Sequence, residues 1–198
     1  MWVVKLGGSW ADSPCLPRWL KTLVRNGGGR VVLVPGGGPF ADQVRRQQRR
    51  WGFDDRSAHR MALLAMHQYG WMLAALEDDL VPTERIESLD RSVRQGRVPV
   101  WLPALEALDA VGIPASWSVT SDSLAAWLAS RLAARGVVLL KRVSAGVPDP
   151  QALRRAGIVD AAFPDCFPAG AALRLFTPDQ LADFRAFLRR CDRIRTFR

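Results

Sequence analysis

The chain has 198 residues, 48% of them hydrophobic and 24% charged, which is the composition of a folded protein with one large core or two small lobes. Its formal net charge of +9 is carried almost wholly by arginine: of the 28 basic residues only Lys5, Lys21 and Lys141 are lysines. No apolar run approaches the roughly 20 residues that span a bilayer, residues 2–6 are too short for a signal core, and Cys15, Cys166 and Cys191 lack disulfide or metal-finger spacing, so a cytoplasmic protein with reduced thiols and no membrane partner is expected.

In chain order, Trp2–Leu6 is an apolar run of the kind buried on both faces of a parallel sheet. A helix over Pro17–Asn26 follows, stopped by Gly27–Gly29, then a buried strand at Val31–Val34. After "GGG" at 36–38 comes a helix over Phe40–Trp51. Its "RRQQRR" at 45–50 reads as a solvated face, with a phosphate-attracting or nucleic-acid surface as the alternative. Arg56–Leu76 is apolar nearly all round and therefore central. A strand at Val98–Leu102, a helix at Thr120–Ala134, a strand at Val137–Leu140 and a more polar strand at Ala172–Phe176 complete the alternation. The last helix, Thr177–Cys191, opens with "TPDQ", a cap followed by proline. Alternation of this kind predicts an α/β fold: a three-layer sandwich with a mainly parallel central sheet, in one domain over 1–198 with a weak lobe boundary near Ser116–Ser118.

Four stretches carry candidate chemistry, and in such folds ligands bind beyond the carboxyl ends of strands. In "KLGGS", Gly7 and Gly8 let backbone N–H groups approach a phosphate, Lys5 supplies a compact charge and Ser9 a hydroxyl; an ordinary turn is the plainer alternative. Gly36, Gly37 and Gly38 leave a helix N-terminus open to an anion. The stretch "SVTSDS" stacks Thr120, Ser121, Asp122 and Ser123 at a helix start. Capping explains one of these polar groups but not all of them. The buried strand "VVLL" runs into Lys141 and Arg142, and the loop beyond holds Ser144, Gly146 and Asp149, which also suit a plain connection. In a chain that uses arginine nearly everywhere, lysines at two strand ends suggest sites where a planar guanidinium would not fit. On the central helix, His59 suits either an acceptor phosphate or a backbone tie, and His67 reads as structural. Trp71, Trp101, Trp117 and Trp127 suit either core or a flat wall for a ring.

Taken together, Lys5–Ser9, Gly36–Gly38, Asp122–Ala126 and Gly146–Pro150 resemble the motifs of the amino acid kinase superfamily, which includes acetylglutamate, glutamate, uridylate and isopentenyl phosphate kinases. The resemblance implies ATP as donor, with Mg2+ bound mainly through the ATP phosphates and no protein metal site. It implies Gly7, Gly8, Ser9, Ser144, Gly146 and Asp149 around the nucleotide, and Lys5, Asp122 and Lys141 at the reacting phosphate. Gly36, Gly37, Gly38, His59, Thr120 and Ser121 would then face the acceptor. An acceptor lobe over about 1–117, a nucleotide lobe over about 118–198 and a homo-oligomer are implied in the same way. "PVWLP" at 99–103, "SWSVTSDSLAAWLA" at 116–129 and "AHRMALLAMHQYG" at 58–70 resemble, more narrowly, the kinases of methanofuran and methylofuran biosynthesis, whose acceptor is an aminomethylfuran methyl phosphate.

The chain departs from the wider pattern in two places. "FPAGAALRLF" at 167–176 lacks the second lysine that many relatives carry, a role open to Lys141 or Arg142, and "KR" stands where many relatives have "TD". A kinase for a carboxylate or nucleoside monophosphate, or a non-catalytic nucleotide-binding relative, remains an alternative. A nucleic-acid-binding regulator is disfavoured by the absence of an interleaved aromatic-basic platform.

Overall fold

The computed structural model describes residues 1–104, 113–144, 146 and 148–192. Strands β1 (Trp2–Leu6), β2 (Val31–Pro35), β3 (Leu80–Thr83), β4 (Val98–Trp101), β5 (Gly136–Leu140) and β6 (Ala172–Phe176) form one sheet in the order β3-β4-β2-β1-β5-β6. Every pairing in it is parallel. The expected sandwich is therefore present, and its sheet is parallel throughout rather than mainly so.

Period-two alternation divides the strand residues between two cores. Trp2, Val4, Leu6, Val31 and Leu33 face α1 (Leu16–Gly27), the later part of α3 (Asp55–Leu76) and α8 (Leu181–Arg190). Val3, Val32, Val34, Val137 and Leu139 face α4 (Ile86–Arg94) and α5 (Ser121–Arg131). Helix α3 serves both cores, with Tyr69 and Leu73 in one and Leu63 and Met66 in the other, which accounts for its apolar circumference. Helix α2 (Gly38–Trp51) packs along it.

The chain leaves β1 toward β2 on one side, while β5 pairs with β1 on the other. That reversal opens a crevice beyond the carboxyl ends of β1 and β5, where parallel sheets bind ligands. Lys5 lies in register with Val34 and Leu139, on the same face as Val3, so alternation aims it at the start of α5. Lys141, two residues past Leu139, points to the same face.

Several segments differ from the sequence expectation. Strand β3 and helix α4 were not anticipated: β3 has only four residues and includes Pro82, which an edge strand tolerates, and the apolar stripe of α4 rests on Ile86, Leu89 and Val93 alone. Helix α8 begins at Leu181, not at Thr177. In "TPDQ" the Thr177 N–H donates to Gln180 Oε1 at 3.0 Å and the Thr177 hydroxyl to Asp179 Oδ1 at 2.5 Å, so side chains close a separate turn first. Two short helices the sequence reading did not include follow: α6 (Pro150–Arg155) packs on α7 (Phe163–Cys166), and α7 packs on α5.

Candidate active site

The loops after β1 and β2 meet backbone to backbone. A Cβ on Gly8 would lie 2.6 Å from the Gly38 nitrogen, and one on Gly36 would lie 2.7 Å from the Gly8 nitrogen. Neither position has room for a side chain, and Gly38 also sits at φ +55°. Each loop is tied to a strand end: Gly36 N–H donates to the Leu6 carbonyl at 2.8 Å, and Gly7 N–H to the Leu140 carbonyl at 3.1 Å. The buried Trp10 indole donates to the same Leu140 carbonyl at 3.0 Å, fixing the first loop against the end of β5. Among the described residues the N–H groups of Gly8, Ser9, Gly37 and Gly38 have no acceptor. Converging free amides at the start of a 14-residue helix form a site that favours an anion.

Beside these loops a carboxylate is gripped by two ammonium groups. Lys5 Nζ lies 2.7 Å from Asp122 Oδ1 and Lys141 Nζ 2.8 Å from Asp122 Oδ2, with side-chain exposures of 4%, 12% and 7% for Lys5, Lys141 and Asp122. Lys141 also donates to the Ile158 carbonyl at 2.6 Å. Burial opposes the Asp122 charge, but the two lysines outweigh it and hold the carboxyl below its usual range. Burial, then repulsion from Lys5, pushes Lys141 down to about 8 against the pull of Asp122. Two cations on one anion leave a buried positive charge, which is costly to keep from water unless an anionic ligand completes it.

The helix start that carries Asp122 is capped from a distance. Asp160 Oδ2 accepts from Thr120 N–H at 2.9 Å, from the Thr120 hydroxyl at 2.6 Å and from Ser123 N–H at 3.1 Å, while Oδ1 accepts from the Ser123 hydroxyl. The excess of polar groups in "TSDS" thus has two uses: Thr120 and Ser123 bind Asp160, and Asp122 binds the lysines. Sequence reasoning missed Asp160, because nothing local marks an aspartate in "GIVDAA" as the cap of a helix some forty residues earlier.

A cavity of about 290 Å³ opens between the glycine loops and α5, lined by Gly8, Ser9, Gly37 and Gly38, by Thr120 and Ser121, and by side chains from α2 and α3. Six of the predicted site residues therefore line one space. Trp117, Met66, Asp42 and Arg45 line it as well. The Arg45 guanidinium stacks 4.3 Å above the Trp117 ring, whose indole N–H donates to Gln48 Oε1 at 2.6 Å. One arginine of the "RRQQRR" run thus turns to the site, while Arg46, Arg49 and Arg50 are exposed.

The remaining predicted residues lie elsewhere. Buried His59 does not line the cavity, and His67 meets the Pro103 carbonyl at 2.9 Å, a structural tie. Ser144 and Gly146 are exposed in the loop after β5, and exposed Asp149 caps α6 by accepting from Ala152 N–H at 2.8 Å. Of the tryptophans, Trp101 is buried and stacks on Trp127 with centroids 5.9 Å apart, whereas Trp71 is 59% exposed.

Residues 1–150 match the model of the amino acid kinase family. The chain is 28% identical over 140 residues to the [5-(aminomethyl)furan-3-yl]methyl phosphate kinase of Methanocaldococcus jannaschii, a stretch covering 70% of this chain and 64% of that protein. The chain thus spans less than two thirds of the length of the curated relative it matches. Among solved structures it is similar to uridylate kinase from Archaeoglobus fulgidus, with a TM-score of 0.69, 18% identity and coverage of 94% of this chain and 96% of that one. UMP kinase from Bacillus anthracis gives 0.68 at 17% identity, covering 94% and 91%, and an isopentenyl phosphate kinase gives 0.63 at 15%, covering 97% of each chain. These structural likenesses bear on the fold.

Proposed function

The chain belongs to the amino acid kinase family, and from that premise we propose that this kinase passes the γ-phosphoryl group of ATP to a small phosphate monoester, aminomethylfuran methyl phosphate, forming the diphosphate. The buried Lys5–Asp122–Lys141 cluster carries this reading. Its surplus positive charge lies at the strand ends from which the first glycine loop and the loop after β5 spring, next in sequence to Ser121 and close to Gly8, which line the cavity, and it calls for an anionic partner. The similarity to the M. jannaschii enzyme supports the choice of acceptor.

A phosphate monoester is already mostly ionised at neutral pH, its second pKa being about 6, so no general base is needed. Phosphoryl transfer through a loose transition state then rests on positioning and on offsetting the repulsion between two anions. Lys5 and Lys141 place their ammonium groups at the transferring phosphate, Asp122 holds both in position, and the amides of Gly8, Ser9, Gly37 and Gly38 take up oxygens of donor and acceptor. Among the described residues no group of three His, Cys, Asp or Glu side chains is placed to hold a metal ion. The donors present suit phosphate oxygens, so Mg2+ would arrive on the nucleotide and supply charge neutralisation there.

The test is ADP release from Mg-ATP with aminomethylfuran methyl phosphate, isopentenyl phosphate, UMP and acetylglutamate in parallel, for wild type and Lys5→Ala. Turnover is expected with the furan phosphate and should fall by about 10³-fold or more in Lys5→Ala. ATP binding without turnover on any acceptor would refute the reading.

A further inference from the structure

We propose that Asp42 binds an ammonium group on the acceptor, so that the pocket selects a small zwitterion: a phosphate monoester on a flat ring that also carries a primary amine. The inference rests on the reading above that this is a kinase whose donor and acceptor meet at the amides lining the cavity. Among the described residues Asp42 is the single carboxylate lining that cavity, which the amide-bearing Gly8, Ser9, Gly37 and Gly38 also line. A negative charge there opposes binding of a plain phosphate ester, and becomes favourable when the acceptor brings its own positive charge.

The helix dipole does not account for the residue. Acidic side chains favour a helix within its first turn, and α2 has none there; Asp42 lies four residues beyond Gly38, in the second turn. Arg45 pairs with it only loosely: that guanidinium is stacked on Trp117, and its NH1 nitrogen lies 4.0 Å from Asp42 Oδ1, an i,i+3 ion pair without a hydrogen bond. The carboxylate is 63% exposed and has room for a second, closer cation.

Four residues of helix place Asp42 one turn from Gly38 on the same side of α2, so both face the cavity. Trp117 and Met66 line the same cavity, as walls for the ring.

The experiment compares wild type and Asp42→Asn, with Mg-ATP, on aminomethylfuran methyl phosphate and on the same furan phosphate lacking the aminomethyl group. In wild type the amine acceptor should have a KM roughly tenfold lower, the usual worth of one charge-assisted hydrogen bond. Asp42→Asn should erase that preference by raising KM for the amine acceptor alone, with kcat within twofold and the des-amino KM unchanged. An equal change on both acceptors, or no change on either, overturns the role of Asp42 while leaving the kinase reading standing. Failure of wild type to phosphorylate either compound overturns both.

Discussion

The loops after β1 and β2 and the loop after β5 all carry glycine at the carboxyl edge of the sheet, yet they use it for opposite physical reasons. Gly8 and Gly36 are locked into each other, and an added Cβ at Gly8 would meet Gly38 backbone at 2.6 Å. Among the described residues an added Cβ at Gly146 would meet nothing within 4 Å. In the first region glycine is needed for close packing that aims four amides at one point. In the second Gly146 is exposed, and Asp149 beyond it spends its carboxylate on capping α6. A glycine-bearing loop in this sequence is therefore one of two different objects, and only the packing around each tells them apart.

The sharpest way to break the contrast is Gly8→Ala. The contact is with backbone, so the loops must separate, the amides lose their common focus, and kcat/KM should fall about 10²-fold in a coupled ADP assay. The next largest effect concerns the support of the rigid region. Asp160→Ala removes the acceptor for two backbone N–H groups and two hydroxyls at the start of α5, and should cost about 2 kcal/mol in urea unfolding.

A smaller, pH-dependent effect sharpens the comparison from within the cluster. Lys141 titrates near 8 in the free enzyme, so kcat/KM should decline as pH rises through about 8, because the neutral amine no longer attracts phosphate. With phosphates beside it the ammonium is favoured, so kcat should hold to higher pH. Stability has the opposite sign. Between about 8 and the ordinary lysine value of 10.5 the unfolded chain binds the proton that the folded chain has lost, so stability rises with pH in that window. Lys141→Met should flatten both profiles. The smallest change is expected from Gly146→Ala: activity within twofold and stability within about 0.5 kcal/mol, read in the same two assays. A large loss there would show that the open loop closes on nucleotide and that the two regions are less different than their packing suggests.

Most strands and long helices were legible in the chain because their signals are local: continuous apolar runs for the buried strands, glycine stops after α1, and "TSDS" at the start of α5. Where local signals were thin the reading fell short, as in β3 with its proline and in the side-chain-closed turn before α8. The chemistry was legible by type, in lysines at strand ends, glycines between strand and helix, and an aspartate at a helix start. Alternation alone aims Lys5 and Lys141 to one face, since each follows an inward residue at a spacing of two. Only the tertiary structure decided which partners they meet. It brought Asp122 between them, delivered Asp160 to cap the helix beneath, turned Arg45 and Trp117 toward the cavity and left His59 outside it. The physical reason is that these contacts join residues far apart in the chain, and such meetings are set by the order and closure of the sheet, which no short window of sequence contains.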